Sequence, residues 1–64
     1  MRTDLKVLRV KQGWRQKDVA EKLGISATSY SLIESGKRFG SPKTWEKIKE
    51  IYNLQDHEMW ELQH

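Results

Sequence analysis

The hydrophobic positions of this chain fall into short clusters at helical spacing, separated by glycine, serine and proline. Within residues 14–38 the clusters are Val19, Ala20 and Leu23, then Ile25, then Tyr30, Leu32 and Ile33. The first set recurs at i, i+1, i+4, and each set dries one face of a helix. Between them, Gly24 can take the left-handed conformation that ends a helix, and Ser26 can accept a backbone N–H as the N-cap of the next. Ala20 is small where two helices must cross closely. The stretch predicts two short helices joined by a tight turn, a helix-turn-helix whose first helix carries the second and displays it to a partner.

The same reading extends to both sides. Residues 3–12 put Leu5, Leu8 and Val7 on one stripe with Lys6, Arg9 and Lys11 around it, and Gly13 stops this first helix. Arg9 lies among apolar neighbours, where it either snorkels outward or pairs with a carboxylate inside the fold. The pair is favoured, with Glu34 at the end of the displayed helix as partner. Trp14 precedes a helix beginning near Arg15 or Gln16 and is expected to pack on Val19 as a hydrophobic staple. Ser41-Pro42 is a strong helix start, with serine as N-cap and proline at the first helical position. Trp45, Ile48, Ile51 and Tyr52 then form a stripe for the core, Asn53 can end the helix, and Leu54 plugs the turn. Asp56 is expected to cap a last short helix, with Glu58 in its first turn, that carries Met59, Trp60 and Leu62. So short a helix must dock on something to be stable. The chain reads as all-α throughout.

Composition narrows the possibilities. A chain of 64 residues makes one domain, 1–64, too small to hold an active-site cleft beside a core, and marginal in stability unless its helices pack well or it dimerises. There is no cysteine, so neither a disulfide framework nor a thiolate metal site is available, and His57 and His64 alone cannot complete a zinc site. No metal, cofactor or small-molecule pocket is expected. No Ser-His or paired-carboxylate constellation points to catalysis, so an enzyme is the least favoured class. No apolar run approaches the roughly 20 residues of a membrane span, and no secretory signal opens the chain, which predicts a soluble intracellular protein.

Charge is segregated along the chain. Residues 1–49 hold all twelve Lys and Arg against five acids, a net +7, whereas residues 50–64 hold four acids and no Lys or Arg. A basic body suits a phosphate backbone, and an acidic tail suits a surface turned away from it. Basic patches also serve membranes and acidic partners, so charge alone does not choose between them.

The order Gln16-Lys-Asp-Val-Ala-Glu-Lys-Leu-Gly-Ile-Ser followed by Ser29-Tyr-Ser-Leu-Ile-Glu-Ser-Gly-Lys-Arg38 resembles the phage-repressor helix-turn-helix family, the Cro/cI-like or XRE type. The resemblance covers about residues 3–54. Its landmarks are Gln16 opening the second helix, Ala20 at the crossing, Gly24 at the turn, Ile25 and Ser26 leading into the third helix, and Ile33-Glu34-x-Gly36-Lys37 closing it. It implies a compact five-helix bundle of the lambda-repressor-like type, with the helix-turn-helix core at about 15–35. The implied partner is a two-fold operator in double-stranded DNA, bound by a homodimer with the third helix in the major groove. It further implies a transcription regulator in the cytoplasm, of prokaryotic or phage origin. The positions of Arg9 and Glu34 match a structural ion pair common in that family.

Carried over by residue, the resemblance makes Ala27, Thr28, Ser31 and Leu32 the base-facing positions, with Tyr30 and Ile33 toward the core. The third helix lacks Arg, Lys, Asn and Gln, the side chains that make bidentate contacts to guanine or adenine, so direct readout is expected to be thin. A preference for A·T steps or for DNA shape follows. Arg15, Gln16, Lys17, Ser26, Ser29, Lys37, Arg38 and Lys43 make up the expected phosphate clamp, which fixes register while base contacts specify. Phe39, in the loop beyond, packs over the core or rests on a sugar, with packing favoured. Met59, Trp60 and Leu62 close the monomer's core, form a symmetric dimer contact of about 56–62, or do both. The competing function is a protein-interaction module on the same scaffold, of antitoxin or anti-repressor type.

Overall fold

A computed structural model describes residues 3–63, and within them the chain is all-helical. Five helices follow in order: α1 (Thr3–Lys11), α2 (Gln16–Leu23), α3 (Ala27–Glu34), α4 (Pro42–Tyr52) and α5 (Asp56–Gln63). His64 lies outside the described residues, and among those described no group of His, Asp and Glu side chains is placed to hold a metal ion. No described helix is long and apolar enough to cross a membrane.

The helix ends follow local rules. Gly24 closes α2 in the left-handed region at φ +74°, and Asn53 does the same for α4 at φ +53°. Ser26 and Ser41 cap α3 and α4, accepting the N–H groups of Ser29 and Thr44 at 3.1 Å each. The start of α2 at Gln16 is the expected one, and the cap of α5 is not. Arg15 is the N-cap residue of α2, and because its side chain can accept nothing, Asp18 caps from the other side by accepting the Arg15 N–H at 2.9 Å. Asp56 does not cap α5. It is the first helical residue and pairs with Lys49, while Glu58 reaches back to the Gln55 N–H at 2.9 Å.

All five helices contribute to one core. Leu5 comes from α1, Val19, Ala20 and Leu23 from α2, Tyr30 and Ile33 from α3, and Trp45 and Ile48 from α4, with Leu54 and Leu62 closing the far side. Leu8, Trp14, Ile25, Ile51, Tyr52 and Met59 pack around it, half-buried. Three expectations need correction or refinement. Val7 is 49% exposed, because on a helix it sits roughly 200° around from Leu5 and cannot share its stripe. Trp14 finds its partner in the Tyr52 ring, 5.6 Å away, with the Lys22 ammonium 4.6 Å above its own ring. The three apolar residues of α5 separate: Leu62 is buried, Met59 half-buried and Trp60 62% exposed.

Candidate nucleic-acid interface

The interface is built on the turn between α2 and α3. The Ile25 N–H donates to the Ala20 carbonyl at 3.0 Å, which tucks the chain under α2 and redirects it into α3. At the head of α3, the Ser26 hydroxyl donates to Ser29 Oγ at 3.0 Å while its oxygen accepts the Ser29 N–H. Arg38 Nη1 donates to the same Ser29 Oγ at 3.4 Å. A hydroxyl oxygen that accepts twice has used both lone pairs, and its own O–H remains to donate. Ser26, Ala27 and Thr28 are exposed beside this cluster, whereas Ser31 and Leu32 are half-buried. Of the four base-facing candidates, two therefore stand clear of the protein and two sit at its edge.

Behind α3 the contacts are of another kind. Glu34 is 2% exposed and takes a bidentate pair from Arg9, Nε to Oε2 at 2.9 Å and Nη2 to Oε1 at 3.1 Å. Arg9 Nη1 donates to the Trp14 carbonyl at 2.9 Å. One guanidinium thus ties α1, the turn before α2 and the end of α3 together. Burial opposes ionisation of Glu34, but the hydrogen bonds and charge of Arg9 outweigh it and hold the carboxyl below its ordinary 4.5. The expected ion pair is present, and it fixes the angle at which α3 leaves the core.

The flanking residues divide. Lys17, before α3 in the chain, and Lys37, Arg38 and Lys43, after it, are exposed cations. Backbone bonds from the Lys37 and Arg38 N–H groups to the Leu32 carbonyl, at 3.0 and 3.1 Å, hold two of them against the end of α3. The loop beyond is pinned by Trp45 Nε1, which donates to the Phe39 carbonyl at 2.6 Å, and by the Phe39 ring tilted against Trp45 at 5.9 Å. Phe39 nonetheless remains half exposed. Arg15 lies 3.4 Å from the Asp18 carboxylate, and the Arg15 backbone N–H and side chain hold that carboxyl below its ordinary value. Gln16 is half-buried and directs its amide toward Glu34 at 3.5 Å.

One further cation joins the flank without having been expected there. A cleft of about 240 Å³ beside the turn is lined by Leu23, Gly24, Ile25, Ser41, Lys43, Thr44 and Lys47. Lys43 and Lys47 are i and i+4 on α4, a spacing that puts both stems on one side of the helix and was available as a signal. No curated protein and no solved structure matches the chain. Residues 1–62 match the helix-turn-helix domain family. With a displayed helix, a glycine turn and nearly the whole chain inside that match, the protein belongs to the helix-turn-helix domain family.

Proposed function

We propose that this chain is a small sequence-specific DNA-binding transcriptional regulator of the Cro/cI-like XRE type, a single domain that places α3 in the major groove. The observation that carries the reading is the contrast across α3: a buried ion pair at its back, with exposed Ser26, Ala27 and Thr28 at its front and exposed cations before and after it in the chain. Lys17, Lys37, Arg38 and Lys43 are the leading phosphate ligands, joined by Lys47 and by the O–H of Ser29. Arg15 reaches phosphate once it leaves Asp18, and Gln16 through its place in the first turn of α2. Affinity then comes mainly from counterion release, and specificity from Thr28, from apolar contacts of Ala27 and Leu32 with thymine methyls, from Ser31 through water and from DNA shape.

A two-fold operator requires two copies. Leu62 is committed to the core, so a dimer contact on α5 rests on Trp60, with Met59 at its edge. Replacing Trp60 by Glu leaves the fold intact and lowers the mass seen by light scattering in such a dimer. An unchanged mass removes α5 from that role.

The second reading is a protein-interaction module on the same scaffold, favoured by the absence of bidentate base-reading side chains on α3. A mobility shift with the DNA upstream of the coding region, run at two salt concentrations beside an unrelated duplex, separates the two. Preferential binding to the upstream DNA supports the regulator. Absence of binding to either duplex at low salt overturns it.

A further inference from the structure

A second surface lies away from the α2–α3 unit. Between α1 and α5 runs a groove of about 230 Å³ lined by Val7, Leu8, Leu54 and Leu62, with Asp4, Lys11, Glu58 and Glu61 among its walls. None of these residues belongs to α2, α3 or the loop that follows. The floor is apolar, and Val7 is 49% exposed in it. Among the described residues the rim carries three carboxylates against one ammonium, on a chain whose formal charge is +3 overall. Glu58 is held in place by its bond to the Gln55 N–H, and Glu61 follows one turn later on the same side of α5.

Size and charge decide what such a groove accepts. Ligand pockets usually begin at about 300 Å³ and enclose most of their ligand, so a smaller open groove suits a side chain better than a metabolite. An acidic rim repels a nucleic acid backbone. A second copy of this face docked on a two-fold axis sets carboxylates against carboxylates. Trp60 lies roughly 200° around α5 from Glu58, so a dimer built on Trp60 leaves the groove open.

We infer that the groove between α1 and α5 is a docking site for a partner protein, through a short basic helix that inserts one or two aliphatic side chains between Val7 and Leu54 and lays Lys or Arg along Asp4, Glu58 and Glu61. The mode is a helix in a groove, with the apolar anchors giving affinity and the rim selecting charge. Because the groove shares no residue with the proposed DNA face, this assignment stands or falls independently of the DNA reading.

The test uses the full chain labelled with ¹⁵N and a synthetic amphipathic helical peptide of Leu and Lys, beside its twin with Glu for every Lys. The Leu/Lys peptide is expected to give saturable shifts at Val7, Leu54 and Leu62, and the Glu twin none. Glu61→Lys, an exposed change, weakens that binding about fivefold at low salt, since a favourable rim pair is replaced by repulsion. Val7→Ser weakens it through the floor while circular dichroism reports an unchanged fold. Equal binding of the Glu twin overturns the assignment, as do shifts centred on α2 and α3 or an unaffected Glu61→Lys. Shifts at the groove that depend on protein concentration without peptide identify a second copy as the occupant and overturn it too.

Discussion

The back and the front of α3 are made from the same eight residues and obey different physics. Tyr30, Ile33 and Glu34 face inward, each at most 2% exposed, and every one is committed to packing or to the Arg9 pair. Ala27 and Thr28 face outward and touch little besides solvent. A buried carboxylate that loses its partner is costly, whereas an exposed side chain can change at small cost. The difference teaches that the orientation of α3 and its chemical message are specified separately, so the message can vary while the orientation stays fixed.

The strongest way to break this contrast is Glu34→Ala. It leaves the largely covered Arg9 guanidinium beside no carboxylate, and the expected loss is about 3 kcal/mol in urea unfolding, a large share of what a domain this small possesses. Acid reaches the same pair by protonation. The Glu34 pKa is lowered on folding from 4.5, so its contribution is fully present above that pH and is lost as pH falls through the folded value. Exchanging both partners for Met and Leu should restore most of the stability and flatten the acid dependence in that window. If Glu34→Ala unfolds like the parent, the back of α3 is not what holds it.

The next effect is on binding rather than folding. Lys37→Ala together with Arg38→Ala should weaken affinity for all DNA sequences alike and reduce the salt slope by about one unit for each phosphate no longer neutralised, with unfolding unchanged within about 0.5 kcal/mol. Equal affinity at low salt removes both from the clamp. Ser26→Ala should cost about 1 kcal/mol of stability, because the Ser29 N–H loses its acceptor at the head of α3. Smallest is Thr28→Ala, expected within about 0.5 kcal/mol of the parent in unfolding yet altering the base preferred opposite it in a binding-site selection. A Thr28→Ala protein that selects the parent's sites shows that α3 reads shape alone.

Features governed by neighbours in sequence were legible. Gly24, Ser26, Ser41-Pro42 and Asn53 act through the backbone of residues within one turn, and all sit where their chemistry directs. The Arg9–Glu34 pair spans 25 residues and was still legible, since a cation on an apolar stripe needs a partner and few carboxylates could reach it. Side-chain direction on short helices was not. Met59 and Leu62 lie roughly 60° apart and Trp60 roughly 100° to 160° from them, so periodicity separates Trp60 from the other two without saying which side meets the core. Val7 misled for a different reason, since helical geometry already sets it roughly 200° from Leu5. At the caps, Asp18 and Glu58 act backward on Arg15 and Gln55, and at Gln55 the bond displaced the more obvious Asp56. Lys47 was missed although it follows Lys43 by four residues, because that spacing acquires meaning only once the turn beside it has a place in space.

The three tryptophans give the molecule an optical map of itself. Trp45 is sealed in the core with its indole N–H bound to the Phe39 carbonyl, Trp14 lies half-covered against Tyr52 beneath Lys22, and Trp60 is the most exposed of the three. A quencher in solution meets them in the reverse of that order. Replacing two of the three by Phe leaves a fluorophore that reports on one region: the loop behind α3, the hub around Arg9, or the acidic end of the chain. Opening of each region can then be followed separately, each by its own gain in quenching.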